Sequence, residues 1–129
     1  MPPDLNEEAL RWRAQAEQDL DAADKLAQLG IHYAACFLAQ QAAEKVLKSL
    51  VLSSGRIPDR SHSVIALSRF LLTARPELAS TLASVGFLDQ YYIPTRYPDA
   101  LPSGIPADAF GPVDSERALA GARTCLSIR

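Results

Sequence analysis

The sequence predicts an all-α fold: an antiparallel up-and-down four-helix bundle with an additional short helix and a long proline-rich loop. Three observations carry this. Apolar residues recur at steps of three and four through most of the chain. Glycine and proline interrupt those runs at helix-length intervals. No stretch of useful length alternates as a strand does. The 129 residues suit one domain spanning 1–129, with enough chain to bury one core.

The first helix is predicted from about Glu7 to Leu29. Asn6 is the expected N-cap, and Glu7 and Glu8 sit at the positive end of the helix dipole. Leu5, Ala9, Trp12, Ala16, Leu20, Ala23 and Leu26 form one stripe of 3.6-residue period, and Gly30 ends the helix. The second helix is predicted from about Tyr33 to Ser53, with Gly55 beyond its end. Ala35, Leu38, Ala39, Ala42, Val46, Ser49 and Leu50 give it a narrow, alanine-rich stripe that lets a neighbour approach closely. A second face carries Gln41, Glu44, Lys45 and Lys48, with Gln40 beside it. Glu44 and Lys48 are spaced i,i+4 in the favourable order, as in an ordinary surface pair worth about 0.3 kcal/mol.

A short polar link with Pro58 leads to a third helix starting near Ser61 or Ser63 and ending before Pro76, since the residue preceding proline avoids helical dihedrals. Pro76 suits the first turn of a fourth helix, whose stripe is Leu78, Leu82, Val85 and Leu88, continuing towards Tyr92. Then comes YYIPTRYPDALPSGIPADAFGP, Tyr91 to Pro112, with five of the nine prolines. No helix passes through prolines spaced every four residues. Non-helical stretches of this length are functional or disordered, and Tyr91, Tyr92, Ile93 and Tyr97 argue for packing. A last helix starts near Asp114 or Ser115, with Leu119, Ala122, Cys125 and Leu126 facing inward.

Composition excludes several classes. The chain is 48% hydrophobic and 22% charged, which is globular rather than disordered. A net charge of -2 gives no global attraction to nucleic acid. No apolar run approaches the roughly 18 residues of a membrane span. Met1 to Asp4 has neither a basic nor an apolar leader region, so the cytoplasm is the expected compartment. Cys36 and Cys125 read as small buried hydrophobes, without the spacing of a disulfide or metal site. There is no glycine-rich phosphate loop, so no cofactor is expected. Charge is uneven, however. Residues 4–24 hold seven acidic side chains against Arg11 and Arg13; residues 45–75 hold six basic ones against Asp59. A basic stretch of this kind either binds phosphate or pairs with the acidic first helix.

In an up-and-down bundle the link after the second helix and the exit of the fourth share one end. Lys48, Arg56, Arg60 and His62 then gather near Tyr92, Arg96, Tyr97 and Asp99. Guanidinium geometry lets Arg96 grip a phosphate with two donors. Tyr92 or Tyr97 can stack on a base. His62 can exchange a proton near neutral pH, and Asp99 can orient Arg96 or His62. The opposing reading is structural: Arg96 and Asp99 pair to pin the loop, His62 caps a helix, and the tyrosines are core or interface aromatics. Exposure of Arg96 decides between them. An open arginine in a cleft serves a ligand; a buried, paired one serves the fold.

These residues carry a resemblance. The Trp12-to-Leu20 pattern, ACFLAQQAAEKVLKSL from Ala35 to Leu50, Ser61-His62-Ser63, and LDQYYIPTRYPDA from Leu88 to Ala100 are similar to the HEPN family, over nearly the whole chain. The resemblance implies a helical bundle that commonly forms homodimers. It also implies association with nucleotide or RNA, often beside a minimal nucleotidyltransferase in toxin–antitoxin or defence systems. On this basis ATP or GTP is the expected ligand, held by Arg96, Tyr97 and Asp99 with positive potential from Lys45 and Lys48. One departure counts against catalysis. Ribonuclease members carry Arg-x4–6-His, whereas Arg96 is followed by Tyr-Pro-Asp-Ala-Leu-Pro-Ser. A metal-independent ribonuclease would have to use His62 with Arg96. A pure interaction module, with the tyrosine-rich loop as a protein-binding surface, is the third reading. The tyrosine that partner nucleotidyltransferases modify in some relatives has no counterpart, because its motif is missing.

Overall fold

The structure, a computed structural model describing residues 4–129, is built of helices and turns, and no strand occurs among the described residues. Of the expected leaderless start, Met1 to Pro3 lie outside the described residues.

Helix α1 spans Leu5–Gln28. Its cap is Asp4 rather than Asn6: the Asp4 carboxylate accepts from the backbone N–H of Asn6 at 2.9 Å and of Glu7 at 3.3 Å. The helix therefore starts two residues earlier, and the Glu8 N–H that an Asn6 cap would hold bonds the Asp4 carbonyl at 3.0 Å instead. Ala9, Ala16 and Ala23, one heptad apart, are buried, and Trp12 and Leu20 are half-buried. Gly30 takes φ +79°, which a side chain resists, and the N–H of Ile31 returns to the Leu26 carbonyl at 2.9 Å to close the end.

Helix α2, His32–Ser53, is the axis of the molecule. It packs against α1 and most later elements, and 14 of its 22 residues are buried. The narrow stripe anticipated for it is therefore a burial on every side, and the Gln40–Lys48 face is enclosed too. Helix α3, Val64–Leu72, is capped by the Ser63 hydroxyl, which accepts from Ala66 N–H at 3.0 Å. A second cap comes from far along the chain. The Asp89 carboxylate accepts from Val64 N–H, Ile65 N–H and the Ser63 hydroxyl at 2.6–3.1 Å. The start of α3 lies beside Gln40 and Glu44, while Arg56 reaches Thr73 and stacks on Phe70 near its end. The link thus doubles back along α2, and α3 runs in the same sense as the second half of α2.

The single fourth helix anticipated from Pro76 to Tyr92 is three pieces. A 3-10 turn at Pro76–Leu78 precedes a five-residue α4, Ala79–Ala83, and a second 3-10 stretch covers Gly86–Tyr91. The break has a local cause. The Ser84 hydroxyl bonds the Thr81 carbonyl, and Gly86 follows, where an added Cβ would come within 3.1 Å of Ile65. The proline-rich segment is also more structured than a loop. Pro98–Ala100 is a 3-10 turn and Pro106–Ala109 is a short helix, α5, each begun by its proline. Tyr91 is 1% exposed, edge-on to Phe87 and Phe110, and Tyr92 is half-buried, whereas Ile93 and Tyr97, also expected to pack, are exposed. Helix α6 begins at Pro112, slightly earlier than expected, and runs to Leu126. Gly121 lets it close on Phe87: a Cβ there would lie 2.9 Å from the ring. Among the described residues no helix is long and apolar enough to cross a membrane.

Candidate functional site

The polar face of α2 is organised by Glu44. One oxygen of its buried carboxylate accepts from Lys48 Nζ at 2.9 Å and meets His62 Nδ1 at 2.9 Å. The other accepts from Gln41 Nε2 at 2.9 Å. Gln41 also donates to Gln40 Oε1, and Gln40 Nε2 donates to the His62 carbonyl at 3.1 Å, tying the backbone of the link to α2. Lys48, paired with Glu44, sits with its ammonium 5.2 Å from the Trp12 ring centre. This is not the exposed i,i+4 pair that the spacing suggests. Packing of α1 and the 54–63 link over α2 removes it from water, so each partner needs the other.

His62 belongs to both this network and the surface. Its side chain is 57% exposed while the carboxylate behind it is 4% exposed. With Nδ1 donating to a carboxylate, Nε2 is the free ring nitrogen and carries the lone pair in the neutral form. The ring lies nearly parallel to Tyr92, 14° between planes and 5.2 Å between centres. Clefts open on either side of it. One, of about 600 Å³, runs to Trp12; the other, of about 360 Å³, is bounded by Ser63, Asp89, Tyr92 and Pro94.

Tyr92 joins His62 to Arg96. The Arg96 guanidinium carbon lies 4.4 Å from the Tyr92 ring centre, 4.6 Å from that of Phe37 and 5.1 Å from that of Tyr97. Its Nε donates to the Tyr92 carbonyl at 3.0 Å. The residue is exposed, and no carboxylate pairs with it among the described residues. Three rings and one carbonyl therefore hold the plane of the group, and its two terminal nitrogens remain for a ligand.

The other sequence-derived candidates fall elsewhere. Asp99 is exposed on the Pro98–Ala100 turn and bonds neither Arg96 nor His62. Lys45 forms an ion pair with Asp19 of α1, which also accepts from Gln15 Nε2 at 2.9 Å. Arg56 turns away to Thr73, whereas Arg60 stays beside His62 on the larger cleft. His32, given no role by the sequence, meets the buried Ser115 hydroxyl at 2.9 Å and joins the starts of α2 and α6. Sequence reasoning missed Phe37, Trp12 and the central role of Glu44. The usable signal was α2 itself, apolar on more than one side of its polar row. Among the described residues no group of three His, Cys, Asp or Glu could hold a metal ion.

Known proteins share this framework. The HEPN domain model matches residues 9–128. The chain belongs to the HEPN family. TT1696 from Thermus thermophilus is 38% identical with a TM-score of 0.80, over 92% of this chain and 93% of that one. ST0689, described as an archaeal HEPN homologue, is 34% identical with a TM-score of 0.71, over 92% and 91%. No curated protein matches the chain. As a HEPN protein it has no histidine separated from Arg96 by four to six residues, where Leu101, Pro102 and Ser103 stand, and the intervening Pro98–Ala100 forms a 3-10 turn. Its arginine and its surface histidine meet instead through Tyr92.

Proposed function

We propose that this HEPN protein binds a nucleotide or RNA through Arg96, acting as a homodimer and serving as the partner of a minimal nucleotidyltransferase in a toxin–antitoxin or defence system. The observation that carries the reading is the Arg96 guanidinium: exposed, unpaired with any described carboxylate, and held flat by Phe37, Tyr92 and Tyr97. A fixed planar cation fits two phosphate oxygens, and Tyr97, 49% exposed beside it, offers a face for a base. Lys45 and Lys48 contribute through the fold, since carboxylates neutralise both. Self-association is supported by the proline-rich segment, which holds Ile93, Tyr97 and Ile105, three of the nine exposed large hydrophobics among the described residues. Calorimetric titration with ATP and GTP tests the ligand. Binding by the wild type that is lost in a folded Arg96→Ala variant is expected; equal heats from both proteins would remove Arg96 from the site.

A second reading rests on a specific contact. His62 donates Nδ1 to a buried carboxylate and presents Nε2 outward, the arrangement that lets a histidine act as a general base. Beside Arg96 it suits metal-independent RNA cleavage, with Nε2 taking the 2′-hydroxyl proton. Purified protein in EDTA should then cut RNA, and His62→Ala should not. RNA left intact by the wild type after long incubation rejects this reading.

A further inference from the structure

Helix α3 carries two stripes. Val64, Leu67 and Leu71 are buried in the core. Ile65, Ser68, Arg69 and Leu72, spaced i, i+3, i+4 and i+7, share another face and line an open groove of about 390 Å³. Across it stand α4 and the 3-10 stretch that follows, with Leu82 and Phe87 as the apolar wall. Their small residues, Ala79, Ala83 and Gly86, leave the space between the walls unfilled. Ile65, 41% exposed, forms the rim. Among the described residues no acidic side chain lines the groove. Asp89, which reaches the Ile65 N–H, spends both oxygens on the start of α3.

Two polar groups interrupt this apolar surface, and neither serves the fold. Helical serines in this chain return their hydroxyls to a carbonyl three residues back: Ser49 to Val46 and Ser115 to Pro112. Ser68, 6% exposed, does not. Its Oγ is the one buried side-chain oxygen or nitrogen among the described residues with no hydrogen-bond partner. A buried hydroxyl left so costs the fold stability and calls for an explanation. Ser68 lines the groove, and a change of rotamer presents its Oγ to a ligand there. Arg69, the next residue, is exposed, and no carboxylate pairs with it among the described residues.

We infer that the groove between α3 and α4 is a binding site for a small carboxylate with an apolar body, an aryl or alkyl acid. The carboxylate accepts from the Ser68 hydroxyl and the Arg69 guanidinium, and the body lies against Leu72, Leu82 and Phe87. An unpaired surface arginine alone would not mark a site. The orphaned hydroxyl beside it, in an apolar groove free of lining acids, does. The inference does not depend on the Arg96 reading, since the two share no residue.

The full chain is titrated with phenylbutyrate, with its neutral amide phenylbutyramide and with acetate, and amide NMR shifts are followed. Phenylbutyrate is expected to shift Ile65, Arg69, Gly86 and Phe87 saturably. The neutral amide should bind about tenfold more weakly, the scale of one hydrogen bond to a charged group, and acetate should shift none of the four. Ser68→Ala should lose about tenfold in phenylbutyrate affinity while its urea midpoint stays at or above that of the wild type, because the hydroxyl has no partner in the free protein. Arg69→Gln should abolish the preference for acid over amide. Ile65→Glu should repel the acid and leave sedimentation unchanged. Absence of saturable shifts with phenylbutyrate overturns the site, as does equal affinity for acid and amide. A lowered midpoint in Ser68→Ala would show that the hydroxyl serves the fold, and overturns it too. If Ile65→Glu converts a dimer to a monomer, a second copy of the chain covers the groove and the inference falls.

Discussion

At Glu44 a single buried carboxylate meets an ammonium, an imidazole and an amide. Removing one ion leaves the other unpaired in a low-dielectric setting, which costs several times what a surface pair contributes. Lys48→Met should therefore destabilise the protein by about 3–5 kcal/mol, seen as a lower urea midpoint. A change within the scatter of ordinary surface substitutions would show that the pair is not buried in solution. The two thiols give a pH prediction. Burial pushes Cys36 and Cys125 up to about 12. The folded state then holds these protons more tightly than the unfolded chain, whose thiols titrate near their ordinary value of 9.0. Their contribution is intact below pH 9 and is lost as pH rises towards 12. Urea midpoints should fall across that window, and both thiols should resist a disulfide reagent at pH 8 until the protein unfolds. Rapid native labelling contradicts this. At this scale the sequence brought forward Arg96 and Tyr97 from the proline-rich stretch, and His62 from the link before α3, as candidates. It hid Glu44, since an i,i+4 pair reads the same whether water or a helix covers it.

Helices α1, α2 and α6 follow from their periodicity and end signals, and the structure differs mainly in burial around α2. The region between Pro76 and Pro112 was less legible. Proline position marks where helices start, but whether three residues form a 3-10 turn or a loop depends on packing against Ile65, Phe37 and Tyr91. Asp89 illustrates the same limit. Its three hydrogen bonds to the start of α3 span 24 to 26 residues of sequence, and no local rule finds them. Asp89→Ala should cost about 1–2 kcal/mol by uncapping α3, on the scale of a lost N-cap. It should also loosen the 61–63 turn that carries His62, so amide exchange at Val64 and Ile65 should accelerate. Unchanged exchange would assign the capping to Ser63 alone. Gly121→Ala places a methyl against Phe87 and should cost about 1–3 kcal/mol of overpacking. A neutral result would mean that the ring gives way freely.

Across the whole molecule, one helix links the parts of the site. α2 supplies Phe37 to the arginine cluster, Glu44 to His62 and Lys48 to Trp12. The proposed homodimer belongs to this scale. Sedimentation should give twice the chain mass at micromolar concentration, and Ile105→Glu, at an exposed apolar position, should return it to the monomer. A wild type that stays monomeric at high concentration removes the dimer from the account. The central claim is that the ring-held guanidinium of Arg96 binds phosphate. It is tested most directly by ATP isotherms for wild type, Arg96→Lys and Arg96→Ala, each with its urea midpoint. The account predicts at least a tenfold loss of affinity for alanine, a partial loss for lysine, which keeps the charge without the planar fork, and midpoints within about 0.5 kcal/mol of wild type. Equal affinity in all three proteins would contradict it.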